Sequence, residues 1–263
     1  MTVLNPEVDL DRFFQALEAA GERLLFLDFD GTLAPFHDNR HQVVPYEGVR
    51  QRLDAMMAAD HTRIVVVTGR VVEEMPALLG LDQTPEIWGT HGWERRHPDG
   101  RIDGPDLDAP TEQALREALA QARTLDLGDR LERKPATAAI HTRGLPESDA
   151  QELIDRVRKL WQPLADGSAV ELDVFDGGLE MRVPGRDKGT AVTTVLDEMD
   201  DPVAAYLGDD LTDEDAFRAL DGRGLRVLVR EKLRETAADV WLRPPHELLQ
   251  WLDRWHRAGQ GEA

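Results

Sequence analysis

The chain of 263 residues has no cysteine, only two serines, and only four lysines beside 27 arginines. Without cysteine it can form no disulfide, no thiolate zinc site and no cysteine nucleophile. Neither serine, Ser148 or Ser168, lies in the G-x-S-x-G sequence of a serine hydrolase. The glycine-rich signatures of nucleotide-binding loops are also missing. These absences exclude several common classes of enzyme.

Long apolar runs are lacking as well. No stretch approaches the roughly 20 apolar residues that span a bilayer, and the acidic first ten residues lack the basic and apolar parts of a secretion signal. With the absence of cysteine, this predicts a cytoplasmic protein. The net charge of −20 would repel nucleic acids and anionic membranes, so neither is expected as a partner. An anionic substrate would need positive charge concentrated locally, from a metal ion or a few side chains.

Three apolar runs end directly at polar turns. Residues 24–27 lead into Asp28-Phe-Asp-Gly31, residues 63–67 into Thr68-Gly-Arg70, and residues 203–207 into Gly208-Asp-Asp210. Helical patterns separate the runs, which is typical of an α/β fold with a parallel sheet. In such sheets ligands bind beyond the carboxyl ends of the strands, where these turns would meet.

The middle of the chain has another pattern. Helices are predicted at 111–124 and 147–163, strands at 130–134 and 137–142, and a hairpin at 169–175 and 179–183 that turns at 176–178. An antiparallel sheet carrying helices fits this order. We therefore predict a catalytic core of residues 1–108 plus 184–263 and an inserted α+β domain of residues 109–183.

Two acidic clusters predict a metal site. Asp28 and Asp30 are two residues apart at a strand end, so both side chains reach the same side. Asp209, Asp210 and Asp213 form a second cluster after another strand. Close carboxylates repel each other unless a cation intervenes, and Mg²⁺ prefers oxygen ligands. A helix cap at Thr212 with Asp215 is the structural alternative, but it leaves Asp209 and Asp210 unexplained.

Lys188 is one of four lysines in a chain that uses arginine by default. It precedes a predicted helix, where an ammonium group and free backbone N–H groups could both face a phosphate. The alternative is a solvated surface charge. Its place among the acidic turns favours phosphate binding.

These motifs resemble those of the haloacid dehalogenase-like (HAD) phosphatases. Asp28-Phe-Asp-Gly-Thr-Leu33, Thr68-Gly-Arg70, Lys188 and Gly208-Asp-Asp-Leu-Thr-Asp213 match their four motifs in order. The resemblance implies a Rossmann-like core with a C2-type cap. It also implies that Asp28 is the nucleophile, Asp30 the acid and base, and Thr68 and Lys188 the phosphoryl ligands. Mg²⁺ would be held by Asp28, the Asp30 carbonyl and Asp209, with support from Asp210 or Asp213.

Within the superfamily the chain resembles the trehalose-6-phosphate phosphatases through four further segments. These are Gly89-Thr-His-Gly-Trp-Glu94, Glu132-Arg-Lys134, His141-Thr-Arg143 and Glu180-Met-Arg182. The resemblance implies hydrolysis of trehalose 6-phosphate through an aspartyl-phosphate. It places Gly69, Arg70, His91, Gly92, Glu132, Lys134 and Glu180 in the substrate site.

Three departures from the family pattern, at Thr137, Thr142 and Val183, concern the substrate more than the reaction. Another sugar or glycosyl-polyol phosphate is therefore the alternative substrate, and a catalytically silent phosphosugar-binding protein is a third hypothesis. Taken singly, Glu132, Lys134, His91 and His141 could be ordinary solvated or hydrogen-bonded residues. The resemblance further implies coupling to a trehalose-6-phosphate synthase. The oligomeric state stays open, and a monomer is compatible with the sequence.

Overall fold

The computed structural model describes residues 1–37, 39–175 and 177–260, apart from the side chain of Asp129. The chain divides into two compact units. The first, the core unit, is Met1–Asp103 with Asp187–Ala263, and the second, the cap unit, is Gly104–Arg186. The predicted insertion, 109–183, lies within the cap unit. Asp176, in the predicted hairpin turn, falls outside the described residues.

The described chain contains thirteen strands and eight α-helices. The strands are β1 (Thr2–Val3), β2 (Arg23–Leu27), β3 (Arg63–Val67), β4 (Glu86–Gly89), β5 (Glu94–Arg96), β6 (Ile102–Asp103), β7 (Leu131–Lys134), β8 (Thr137–His141), β9 (Glu171–Phe175), β10 (Gly178–Arg182), β11 (Val203–Gly208), β12 (Leu225–Val229) and β13 (Val240–Leu242). The helices are α1 (Leu10–Ala19), α2 (Val49–Ala59), α3 (Met75–Leu79), α4 (Ala109–Arg123), α5 (Glu147–Asp166), α6 (Lys188–Leu196), α7 (Asp213–Ala219) and α8 (His246–Gln260).

One mainly parallel sheet forms the centre of the core unit. Its order is β1-β13-β12-β11-β2-β3-β4-β5-β6, and the pairs from β13 through β4 are parallel. The chain runs from β2 toward β3 on one side, and β11 and β12 extend the sheet on the other. The strand order therefore reverses at β2, and the carboxyl end of this strand is where ligands bind in open α/β sheets.

Alternate residues of β2 face two different hydrophobic clusters. Leu25 and Leu27 join the cluster that contains buried residues of α1, α2 and α8, whereas Leu24 and Phe26 join the one that contains residues of α6 and α7. A strand covered on both faces has no polar position, which explains its continuous apolar run. Trp251 and Trp255 of α8 are packing residues in the first of these clusters.

The cap unit has its own antiparallel sheet, in the order β7-β8-β10-β9. One face carries Ala138, Ile140, Leu179 and Met181, which share a hydrophobic cluster with buried residues of α4 and α5. Trp161 of α5 is fully buried there, and its indole N–H donates to the Ala118 carbonyl at 3.0 Å. The other face of the sheet is thereby left for polar side chains.

Strands β4 to β6 were not anticipated from the sequence, because each is short and none shows a clear alternation.

Among the described residues, no helix has both the length and the apolar character that crossing a bilayer requires.

A network of ion pairs connects β3 and β5 to Glu198, which follows α6. Arg63 and Arg95 each donate to the Glu198 carboxylate at 2.6 Å. The hydrogen bond from Arg95, followed by that from Arg63, lowers the pKa of Glu198 to about 2. A carboxyl group whose pKa is lowered by folding stabilises the native state above its unfolded pKa, here 4.5. That contribution is lost as the pH falls from there toward about 2.

Glu198→Gln is expected to reduce the free energy of unfolding by about 1 kcal/mol at pH 7, because a third of the side chain is exposed and solvent screens the pair. Denaturant titrations of both proteins at pH 7, 5 and 4 should show the difference shrinking as the pH falls. A difference that grows under acid would contradict this assignment.

Candidate active site

Asp28, Lys188 and Asp213 form a buried charged cluster at the carboxyl edge of the core sheet. Asp28 follows β2 directly, and its backbone N–H extends the ladder to the Leu207 carbonyl at 2.9 Å. The ammonium nitrogen of Lys188 donates to Asp28 Oδ1 at 2.8 Å and to Asp213 Oδ1 at 2.7 Å. Lys188 is 3% exposed, so the alternative of a solvated surface lysine is excluded.

Asp213 organises the loop after β11. Its Oδ2 accepts the backbone N–H groups of Asp209 at 2.8 Å and Asp210 at 3.0 Å, and its Oδ1 accepts the Tyr206 hydroxyl at 2.6 Å. Tyr206 was not anticipated. The hydroxyl of a buried tyrosine needs a hydrogen-bond partner. A tyrosine within the apolar run of β11 could therefore have indicated a polar side chain close to this strand.

The structural alternative, a helix cap formed by the Thr212 side chain, is not found. Thr212 has helical dihedral angles and makes no capping bond with its side chain. Its hydroxyl donates instead to Asp210 Oδ1 at 2.7 Å, and its backbone N–H donates to the same oxygen at 2.8 Å. Asp210 is thus turned toward Thr212, while Asp213 binds the loop and Lys188.

Two glycines allow the acidic turns to approach closely. Gly31 has φ +87°, and a Cβ there would lie 2.3 Å from Asp209 Oδ2. A Cβ on Gly208 would lie 2.3 Å from Cγ of Asp213. Any larger residue at either position would displace a carboxylate of the cluster.

The carboxylates of Asp28, Asp209 and Asp213 offer oxygen atoms that all lie within 4.8 Å of one another. Burial raises the pKa of Asp28 well above its usual range, with Lys188 opposing and Asp213 adding to the rise. Burial, then Asp213 and Asp210, raises the pKa of Asp209 to about 7. The cluster holds more negative charge than Lys188 alone neutralises.

These residues fit a hard divalent cation. Asp28 Oδ2 and Asp209 Oδ1 are buried, and neither accepts a hydrogen bond from a described residue. Buried carboxylate oxygens need a partner, and oxygen-only donor sets suit such cations. The structure therefore contains a buried aspartate cluster that could bind a metal.

The turn after β3 places Arg70 against Asp30. The guanidinium donates to both carboxylate oxygens, at 2.6 and 2.7 Å, and to the Arg40 carbonyl at 2.7 Å. Its side chain is 8% exposed. Arg70 thus binds Asp30, a contact that the sequence did not predict. Thr68 precedes it in a buried position, and its hydroxyl accepts the Arg70 N–H at 3.2 Å.

The predicted glycine–histidine segment lies beside this turn. The Thr90 N–H donates to the Arg70 carbonyl at 2.8 Å, and the His91 N–H donates to the Thr68 carbonyl at 3.1 Å. A Cβ on Gly69 would lie 2.6 Å from the His91 ring, and one on Gly92 would lie 2.5 Å from the Asp187 carbonyl. The segment therefore packs against the β3 turn and the residue that caps α6.

In the cap unit, Glu132, Lys134 and Glu180 lie on the polar face of the sheet. Ala139 of β8 pairs with Glu132 on one side and with Glu180 on the other, so the two glutamates flank a small residue. The Lys134 ammonium nitrogen is 3.7 Å from Glu132 Oε2. Burial raises the pKa of Glu180, and Lys134 opposes that rise. This face therefore carries two acidic side chains and one basic side chain, with the small side chain of Ala139 between the two glutamates.

The core sheet, the acidic strand ends and the separate α+β unit form the fold that is also seen in solved phosphatases, including one of the HAD superfamily. The predicted α/β core with an inserted cap is confirmed. The chain belongs to the trehalose-phosphatase family, whose pattern it matches over residues 26–239. The family resemblance predicted from the sequence is thereby confirmed.

Three comparisons place the chain among known proteins. It is 32% identical over 245 residues to a trehalose-phosphate phosphatase of Mycobacterium marinum, covering 88% of this chain and 60% of that one. It is 29% identical over 213 residues to a bifunctional trehalose-6-phosphate synthase/phosphatase of Thermoproteus tenax, covering 80% of this chain and 29% of that one. The crystal structure of a trehalose-6-phosphate phosphatase related protein superposes with a TM-score of 0.73 at 25% identity, covering 91% and 100%. The chain spans about 60% of the length of the mycobacterial relatives.

Proposed function

We propose that this protein hydrolyses trehalose 6-phosphate to trehalose and phosphate, with Asp28 as the nucleophile and Mg²⁺ as the cofactor. The observation that carries the proposal is the buried contact of Lys188 with both Asp28 and Asp213, beside the unpartnered oxygen of Asp209. Transfer of a phosphoryl group depends mainly on neutralising its charge and on placing the attacking atom in line with the bond that breaks. In this cluster the Asp28 carboxylate is held beside the positively charged ammonium group of Lys188.

In the first half-reaction, an Asp28 oxygen attacks phosphorus and the bond from phosphorus to the sugar oxygen breaks. Asp30 gives its proton to the leaving sugar oxygen. In the second half-reaction, Asp30 takes a proton from a water molecule that attacks the aspartyl-phosphate, which frees phosphate and restores Asp28. Arg70 donates one hydrogen bond to each Asp30 oxygen, which leaves a second lone pair on each oxygen that can carry the transferred proton.

Lys188 remains protonated in this arrangement. Burial alone would lower its pKa, but Asp213 and Asp28 outweigh that effect and raise the pKa. Its ammonium group can therefore hold a phosphoryl oxygen together with Thr68. Asp28, Asp209 and the Asp30 carbonyl would bind Mg²⁺, with Asp210 and Asp213 in support. When bound there, Mg²⁺ would neutralise charge on the carboxylates and the phosphoryl group.

The polar face of the cap unit supports a sugar substrate. Glu132, Lys134 and Glu180 combine charged acceptors with a charged donor, which suits a polyol. The sugar hydroxyls are neutral, whereas the phosphoryl group is anionic. The sugar therefore needs hydrogen-bond donors and acceptors, and the phosphoryl group needs positive charge. We also propose coupling to a trehalose-6-phosphate synthase, which the two activities named together in the Thermoproteus tenax relative support.

A substrate panel tests the assignment. Phosphate release is measured with trehalose 6-phosphate, other hexose phosphates and glycosyl-polyol phosphates in the presence of Mg²⁺. We expect kcat/KM for trehalose 6-phosphate to exceed that for the other sugar phosphates by at least roughly tenfold. A clear preference for another sugar phosphate would reject the substrate and leave the mechanism intact. A silent phosphosugar-binding protein would release no phosphate at any Mg²⁺ concentration.

A further inference from the structure

Two arginines from the segment after β12 hold the back of the loop that carries Asp209 and Asp210. Arg234 donates from Nε to the Asp209 carbonyl at 3.3 Å and from a terminal nitrogen to the Asp210 carbonyl at 2.5 Å. Arg230 donates to the same Asp209 carbonyl at 3.2 Å. The N–H groups of Asp209 and Asp210 are bound by Asp213. The backbone N–H and the backbone carbonyl of both residues are therefore held by hydrogen bonds.

Arg234 is itself immobilised. It forms an ion pair with Glu214 and donates to the Glu235 carbonyl at 2.7 Å. Glu214 also accepts the Thr236 hydroxyl and the Ala237 N–H, each at 2.8 Å. The side chains of Arg234 and Glu214 are only 16% and 13% exposed. This network joins the segment after β12 to the first turn of α7.

We propose that Arg234 is a positioning residue for a divalent cation bound by the aspartate cluster. Mg²⁺ demands near-ideal octahedral geometry, and outer partners that orient its ligands set its affinity. Arg234 touches no carboxylate of the cluster, but it fixes the backbone from which Asp209 extends. The inference rests on the proposed function only in that the cluster binds Mg²⁺.

Calorimetric titration of the substrate-free protein with Mg²⁺ tests this inference without relying on activity. Arg234→Gln is expected to raise the Kd for Mg²⁺ at least roughly tenfold, as loss of an outer partner of a metal ligand commonly does. Arg234→Lys keeps the charge but replaces the planar guanidinium fork with a single nitrogen on a shorter side chain, so it should also weaken binding. Arg218→Gln is the matched control. It removes an exposed arginine of α7 that pairs only with Asp215 among the described residues, and its Kd should stay within about twofold of the wild type.

A Kd for folded Arg234→Gln within about twofold of the wild-type value would overturn the proposal. If that variant does not fold, Arg234→Lys decides in its place, and wild-type affinity in Arg234→Lys rejects a positioning role for the guanidinium group. The outcome for the proposed function is separate. A protein that binds Mg²⁺ through an Arg234-dependent loop but hydrolyses no phosphate ester would refute the phosphatase assignment and sustain this one. Failure of the wild type to bind Mg²⁺ at all would sink the inference directly.

Discussion

Asp28→Asn is expected to reduce the release of phosphate from trehalose 6-phosphate by at least about 10⁴-fold, because an amide cannot form the aspartyl-phosphate. The substitution keeps the shape of the side chain and one oxygen for the 2.8 Å hydrogen bond from Lys188. The measurement is single-turnover phosphate release with saturating Mg²⁺. Asp82→Asn, in an exposed loop, is the matched control and should retain wild-type activity.

The stability of the same variant separates a chemical role from a structural one. Burial, with added repulsion from Asp213 and Asp209, disfavours a negative charge on Asp28. A neutral side chain there should leave the melting temperature unchanged or raised in the absence of metal, because functional sites commonly sacrifice stability. Inactivity combined with a lowered melting temperature would point to misfolding. Activity above about a hundredth of the wild-type level would place the nucleophile elsewhere.

Much of the core could be predicted because its signals are local. An apolar run such as that of β2, covered on both faces, reads as a buried strand, and the acidic turn that ends it must lie at the carboxyl edge of the sheet. The rarity of lysine made Lys188 stand out in a chain rich in arginine. The convergence of Asp28, Asp213 and Lys188 then follows from the order of the strands.

The contacts that the sequence did not predict join residues that are far apart along the chain. Arg234 lies 24 residues beyond Asp210, in a segment without regular periodicity, and nothing in its neighbours indicates that it binds backbone carbonyls. The pairing of Arg70 with Asp30 joins turns 40 residues apart. The role of Asp213 was open because an acid in the first turn of a helix has an adequate local explanation. Asp213 accepts hydrogen bonds from Lys188, Tyr206 and the loop after β11, so it holds the aspartate cluster together and does more than stabilise the start of a helix.

The variants Lys134→Ala and Glu180→Ala are expected to lower kcat/KM for trehalose 6-phosphate by roughly 10²-fold each. A hydrogen bond to a charged group contributes about 1.5–3 kcal/mol, and every 1.4 kcal/mol is a factor of ten. Hydrolysis of p-nitrophenyl phosphate, which has no sugar, should change by less than about threefold. Glu132→Ala should follow the same pattern, because its carboxylate lies on the same polar face and contacts His141 at 3.0 Å.

The split between substrates is what identifies a sugar site. Lys159→Ala and Glu152→Ala make the same side-chain changes on the exposed surface of α5 and should leave both substrates unaffected. Glu180→Gln keeps the volume of a side chain whose pKa burial raises, so a loss in that variant would assign the effect to the charged acceptor rather than to packing. Equal losses on trehalose 6-phosphate and p-nitrophenyl phosphate would mean that these residues support the fold or the reaction itself. The sugar would then have to be recognised by other side chains, and the cap face would lose its claim to substrate specificity.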